Sequence, residues 1–213
     1  MSIIDQLDKV RAATNVLEHP FYRRWSAGEL SAGELTCYAA QYRHAVVALA
    51  EASARAAAKA PAQLRDGLDA HAEEERAHVR LWDRFARQAG AGDAQDEPAL
   101  PETDACVRAW TAGEDTLEHL AVLYAIEAGQ PEVSRTKLDG LGEHYGYVTE
   151  GPASEYFRVH ELRDVEHAHE AAELIERLLA EDPEREQELV QCATKALRGN
   201  WLLLDGVERA AAV

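Results

Sequence analysis

His160-Glu161-Leu162-Arg163-Asp164-Val165-Glu166-His167 is the stretch from which fold and chemistry are read together. His160, Asp164 and His167 recur at i, i+4 and i+7. With about 3.6 residues per turn, these positions share one face of a helix. Two imidazoles and a carboxylate on one face suit a hard-to-borderline transition metal such as iron or manganese. Apolar Phe157, Ala171 and Leu174 align with them, so the polar triple interrupts an otherwise buried stripe. The bland alternative is a solvated face on a helix made acidic by Glu161, Glu166 and Glu170. That alternative leaves the alignment with the apolar stripe without a cause.

One helix seldom completes such a site, so other helices must add ligands. Leu64, Leu68, His71, Glu75, His78 and Trp82 form a second stripe at spacings of three and four, with polar residues at its middle. Polar groups on a buried face must be paired or metal-bound. Glu75 and His78 repeat the Glu-x-x-His spacing of helical di-metal carboxylate proteins, although helices rich in alanine and glutamate also produce that spacing by chance. Glu127 falls near the end of a third helix, among apolar neighbours. The candidate ligand set is therefore Glu75, His78, Glu127, His160, Asp164 and His167. His71 is expected beside it, orienting a ligand or substituting for one, and Glu74 is the fallback for Glu75. Such a set leaves positions open for dioxygen on two six-coordinate ions. Zinc would bind the same groups without redox chemistry, and a hydrolytic metal pair is also compatible with the ligand types alone. His19, His44, His119, His144 and His169 are read as satisfied or exposed side chains.

The chain of 213 residues carries a formal charge of −17. That charge makes nucleic acid and anionic lipid poor partners for its general surface. Cys37, Cys106 and Cys192 are scattered and odd in number, as expected of reduced thiols in the cytoplasm. The first residues, Met1-Ser2-Ile3-Ile4-Asp5, hold no basic region followed by an apolar run, so no signal peptide is expected. No uninterrupted apolar stretch is long enough to span a membrane.

No segment alternates with period two over strand length, and the chain is expected to be an all-α bundle of seven or eight helices in one domain, 1–213. Helices are expected over about 3–18, 32–59, 62–89, 103–112, 114–129, 132–145, 154–180 and 184–207. The segment 21–28 is a short helix or a turn, and 91–102 is a surface linker. Ser31 and Glu34 form a capping box. Ser154 is expected to cap the motif helix, and Asp182-Pro183 to cap and begin the last one.

Four stretches resemble a known family. They are Leu17 to Trp25 with Gly28-Glu29-Leu30; His78 to Trp82; Tyr124 to Gly140, including Glu127, Gln130-Pro131 and Lys137; and Phe157 to His167. In order and spacing they are similar to the haem-oxygenase-like di-iron oxidases and oxygenases. The nearest branch is that of the chlamydial death-domain-associating proteins, now regarded as 4-aminobenzoate synthases that serve folate biosynthesis. The first stretch is shared with wider thiaminase-like and quinone-cofactor-biosynthesis relatives that need no metal.

The resemblance implies a haem-oxygenase-like fold, a homodimer, and two iron ions (or manganese with iron) using dioxygen and an external reductant from an unidentified electron donor. It places ligands at His78, Glu127, His160, Asp164 and His167. At the sixth ligand position the synthase branch has a glutamate where this chain has His71, while a related decarboxylase branch has it at the place of Glu75. It further implies that Tyr22 is the source of the aromatic product and Lys137 of its nitrogen, with Tyr38 as a second oxidisable phenol. From spacing alone, Tyr22 reads rather as a core aromatic with its hydroxyl bonded, and Lys137 as a surface lysine. Three other functions compete: N-oxygenation or carbon–carbon cleavage of a small external substrate, metal-free binding of a pyrimidine or quinone precursor, and a helical protein-interaction module.

Overall fold

Every regular element in the computed structural model, which describes residues 1–92 and 94–211, is helical. In order they are α1 (Ile3–Ala13), α2 (Pro20–Ala27), α3 (Ala32–Lys59), α4 (Ala62–Gln88), α5 (Pro101–Thr111), α6 (Thr116–Glu127), α7 (Gln130–Glu143), α8 (Glu155–Leu179) and α9 (Glu186–Ala211). The all-α expectation holds, and the segment left as helix or turn is the short helix α2.

Local chemistry sets the boundaries. Ser31 and Glu34 satisfy each other's backbone amides in the capping box that starts α3. Pro61 breaks the chain after α3, and α4 packs back along the alanine-rich face of α3, where small side chains allow close approach. α1 stops at Ala13 rather than near 18. The Asn15 side chain there accepts from the Leu17 amide and holds a 3-10 turn, and His19 then caps α2 with Pro20 at its first position. The linker before α5 contains a 3-10 turn at Ala94–Asp96, and α5 begins at Pro101, two residues earlier than expected. Two expected caps are absent. The Ser154 hydroxyl donates to the Val148 carbonyl instead of capping α8, and Asp182-Pro183 opens a 3-10 turn ahead of α9.

α6 is the centre of the bundle. All its residues are buried, as a helix apolar on every side requires, and α3, α8 and α9 enclose it. Its last residue, Glu127, is thereby delivered to the interior. α8 buries the face bearing Phe157, His160, Asp164, His167 and Ala171, and turns Leu162 and Val165 outward. No helix among the described residues is long and apolar enough to cross a membrane. All three cysteines are free thiols.

α2 is locked against α7 at one contact with no slack. A Cβ on Gly140 would lie 2.5 Å from Nε1 of Trp25, which donates to the Lys137 carbonyl. Gly140→Ala should therefore destabilise the protein by about 1–3 kcal/mol, the usual cost of overpacking. Thermal unfolding checks this, with no loss of melting temperature as the contrary result.

Candidate metal centre

α4, α6 and α8 bring the candidate ligands to one place. Glu75, His78, Glu127, His160, Asp164 and His167 are all buried. Two groups have ligand atoms close enough to share an ion: His71, Glu75, Glu127 and His167 in one, and Glu75, His78 and His160 in the other. Glu75 belongs to both. Its Oε1 is 2.9 Å from Nδ1 of His78 and 3.9 Å from Nδ1 of His167, and its Oε2 is 4.0 Å from Nε2 of His160. Asp164 is outside both groups but adjoins them, with Oδ1 3.5 Å from Nδ1 of His167.

His71 stands inside this cluster rather than beside it. Its Nε2 lies 3.1 Å from Oε1 of Glu127 and 3.9 Å from Oε1 of Glu75. The stripe on α4 placed His71 on the correct face, but spacing carries no information on whether a side chain two turns from His78 reaches the same point. Glu74 faces outward, where both its oxygens accept from Arg163, at 2.7 and 2.9 Å, and one lies 3.4 Å from Nε2 of His167. A carboxylate so placed orients the imidazole from outside the cluster.

The polar accounting identifies what is missing. Nε2 of His71, Oε2 of Glu75, both carboxylate oxygens of Glu127 and of Asp164, Nε2 of His160 and Nδ1 of His167 are buried without a hydrogen-bond partner. Buried polar atoms are nearly always paired, so unpaired donors and acceptors converging on one centre fit a cation. Nδ1 of His160 lies 2.7 Å from the Tyr156 carbonyl. Donating there would leave Nε2 free to bind an ion, the tautomer a metal requires.

Charge agrees with this. Burial pushes the Glu127 carboxyl up, opposed by His71, and the negative end of the α6 dipole adds to its need for a positive neighbour. Burial likewise opposes protonation of His71, yet Glu127 and Glu75 outweigh it and hold that imidazole at about 9. Burial also acts against the Glu75 carboxylate, but His160 and His78 hold it well below the usual range.

Next to the cluster lies an aromatic cage. Nζ of Lys137 is 4.8 Å from the ring centre of Tyr42, 5.3 Å from Phe157, 5.5 Å from Tyr22 and from Tyr38, and 5.8 Å from Trp82. Lys137 is fully buried and its amine has no hydrogen-bond partner, so it is not a surface lysine. Tyr22 and Tyr38 share a hydrogen bond of 3.2 Å between hydroxyls, and burial holds both phenols far above their ordinary range. From Tyr38 a run of packed rings leads to the cluster: Trp82 at 5.8 Å, then Tyr156 at 4.9 Å, whose ring stacks on His160 at 3.9 Å. The five histidines read as satisfied or exposed fall in neither group, but His119 is neither satisfied nor exposed: it is fully buried and both its ring nitrogens lack a hydrogen-bond partner.

Burial lowers the Lys137 amine from 10.5 to about 7. A shift of that size is about 5 kcal/mol, and the ring faces, worth about 2 kcal/mol to a desolvated cation, recover only part of such a cost. Lys137→Met should therefore stabilise the protein at neutral pH by about 2–4 kcal/mol. The sign of the pH dependence follows from linkage: between about 7 and 10.5 the unfolded chain holds a proton that the folded one has released. Parent stability should rise across that window, and its deficit relative to Lys137→Met should narrow. Denaturant unfolding at several pH values tests this, and a deficit constant with pH would contradict it.

Comparison with known proteins places this geometry. The sequence model described as "iron-containing redox enzyme" matches residues 36–201. A protein of Nitrosomonas europaea named 4-aminobenzoate synthase is 30% identical, over 95% of this chain and 89% of its own length. One of Chlamydia trachomatis with the same name is 31% identical, over 93% and 90%. Among solved structures, a TenA homologue of Pseudomonas syringae superposes with a TM-score of 0.83 at 21% identity, covering 97% of this chain and 91% of that one. A haem-oxygenase-like domain of Shewanella denitrificans gives 0.83 at 17% identity, covering 99% and 93%. At such identities the two structures establish the fold alone.

Proposed function

The chain belongs to the haem-oxygenase-like family of iron-containing redox enzymes, and from that premise we propose that it is a 4-aminobenzoate synthase using a pair of metal ions and its own Tyr22 and Lys137. The observation that carries the metal pair is the convergence of unpartnered buried atoms on two groups with Glu75 in common. In this reading His71, Glu127 and His167 would hold one ion and His78 and His160 the other, with Glu75 common to both groups and Asp164 beside His167. Bound there, two irons, or iron with manganese, would supply oxidising power drawn from dioxygen and an external reductant.

The chain's own residues do the rest. The cage keeps water from Lys137, so at neutral pH a large share of the amine carries a lone pair rather than a proton, as a nitrogen nucleophile must. The hydrogen bond between hydroxyls fixes the orientation of the Tyr22 phenol against Tyr38. Between Tyr38 and His160 the packing is aromatic, through Trp82 and Tyr156, rather than aliphatic. Holding amine and ring in one sealed box is the positioning that makes a bimolecular step unimolecular.

Elemental analysis combined with anomalous diffraction at the iron and manganese edges tests the metal pair. His71 belongs to only one of the two groups, so His71→Ala should lose one ion and keep the other. Equal loss of both would contradict this division. An external-substrate oxygenase is the second reading, favoured by a cleft of about 310 Å³ that reaches His71 and His167.

A further inference from the structure

We propose that the cleft between α4, α6 and α8 is the entrance by which dioxygen reaches the metal centre, on the side away from the tyrosine–lysine cage. It rests on the cluster holding iron as argued above. The cleft has a volume of about 310 Å³, and its inner end is formed by His71 and His167. His167 is buried, with Nδ1 unpartnered, and the His71 side chain, 11% exposed, is the most accessible in the cluster. The walls are Leu68, Leu120, Leu123 and Leu174, and the charged groups Glu170, Glu173 and Arg177 also line the cleft. The leucine walls offer a path that a small uncharged molecule follows without loss of hydrogen bonds.

The order of residues along two helices supports a one-sided entrance. Along α4 the chain passes the cleft at Leu64 and Leu68, the cluster at His71, Glu75 and His78, and the cage at Trp82. Along α8 the order is reversed: the cage at Phe157, the cluster at His160 and His167, the cleft at Leu174 and Arg177. At about 1.5 Å rise per residue, Leu68 and Trp82 are about 21 Å apart along α4. The bundle is therefore stratified as cleft, cluster and cage, and no ring of the cage lines the cleft. A reactive gas enters at one end, and the residues proposed to be consumed lie dry at the other.

Gly67 allows a clean test, because it lines the cleft and a Cβ there meets nothing within 4 Å. Gly67→Phe should fill the cleft without disturbing α4, and Leu174→Ala should widen it. In crystals under xenon pressure, xenon should lodge against the leucine wall of the parent cleft, the apolar part of its lining, and be absent from Gly67→Phe. Nitric oxide serves as the probe for dioxygen with the iron-loaded, reduced protein. Its association should slow roughly tenfold or more in Gly67→Phe, a barrier increase of about 1.4 kcal/mol, and quicken in Leu174→Ala. Association unchanged in the variant that folds and holds iron, or xenon lodged only on the cage side, would overturn the proposal. Failure of the parent to hold iron would instead count against the metal centre, and the xenon result would still decide the cleft.

Discussion

Protein carrying both His160→Ala and Asp164→Ala should emerge from iron loading with its metal content near background and its helices intact. Both side chains are fully buried on α8, and their unpartnered atoms, Nε2 of His160 and both oxygens of Asp164, face the cluster. Loss of a partner outside a metal site already costs 10–100-fold in affinity, roughly; loss of groups within it should cost more than about 100-fold. The same substitutions remove buried polar atoms, Nε2 of His160 and both oxygens of Asp164, that have no hydrogen-bond partner in the chain. Without metal, the double variant should therefore melt higher than the metal-free parent. With metal, the order should reverse, because binding to the folded state alone stabilises it by mass action. A well-occupied metal pair in the double variant, measured by elemental analysis, would remove the basis for the proposed function.

Tyr22→Phe and Lys137→Met should each reduce 4-aminobenzoate formation to background while leaving metal content at the parent level. Phenylalanine keeps the ring in its slot and removes the hydroxyl that bonds Tyr38, a structural loss of about 1 kcal/mol. Methionine keeps most of the Lys137 stem inside the cage and removes only the amine. Lys137→Met should therefore be the more stable and the inactive protein at once, which separates chemistry from folding. In the parent, product formation should rise as pH passes through about 7, where burial sets release of the amine's proton. Product equal to the parent's in both variants would favour the oxygenase of an external substrate.

Much of this was legible in the sequence because period and polarity speak together on a helix. Phe157, His160, Asp164, His167 and Ala171 are buried together as their spacing requires, and Glu75 with His78 follows from the stripe on α4. Periodicity gives a face but not a depth. It could not tell that His71 reaches Glu127, or that Glu74, one residue from Glu75, turns outward to Arg163. Nor could it separate a buried Lys137 from a surface one. α7 is short and mixed in composition, and its burial of Lys137 depends on rings from α2, α3, α4 and α8. Resemblance to a family supplied that residue, and the structure gives it surroundings: five rings and no hydrogen bond. The misplaced boundaries at 14–19 and 182–186 have a common cause. Asn15 and Asp182 are typical cap residues, and 3-10 turns use the same chemistry over fewer residues.

The most direct test places isotope in one residue type. Protein grown with ring-labelled tyrosine, moved to unlabelled buffer, loaded with iron, and given a reductant and dioxygen should release 4-aminobenzoate with the label in its ring. The amount should not exceed one molecule per chain, and digestion should show the missing mass at Tyr22. Unlabelled product, or a Tyr22 peptide of unchanged mass after product has formed, would contradict the account.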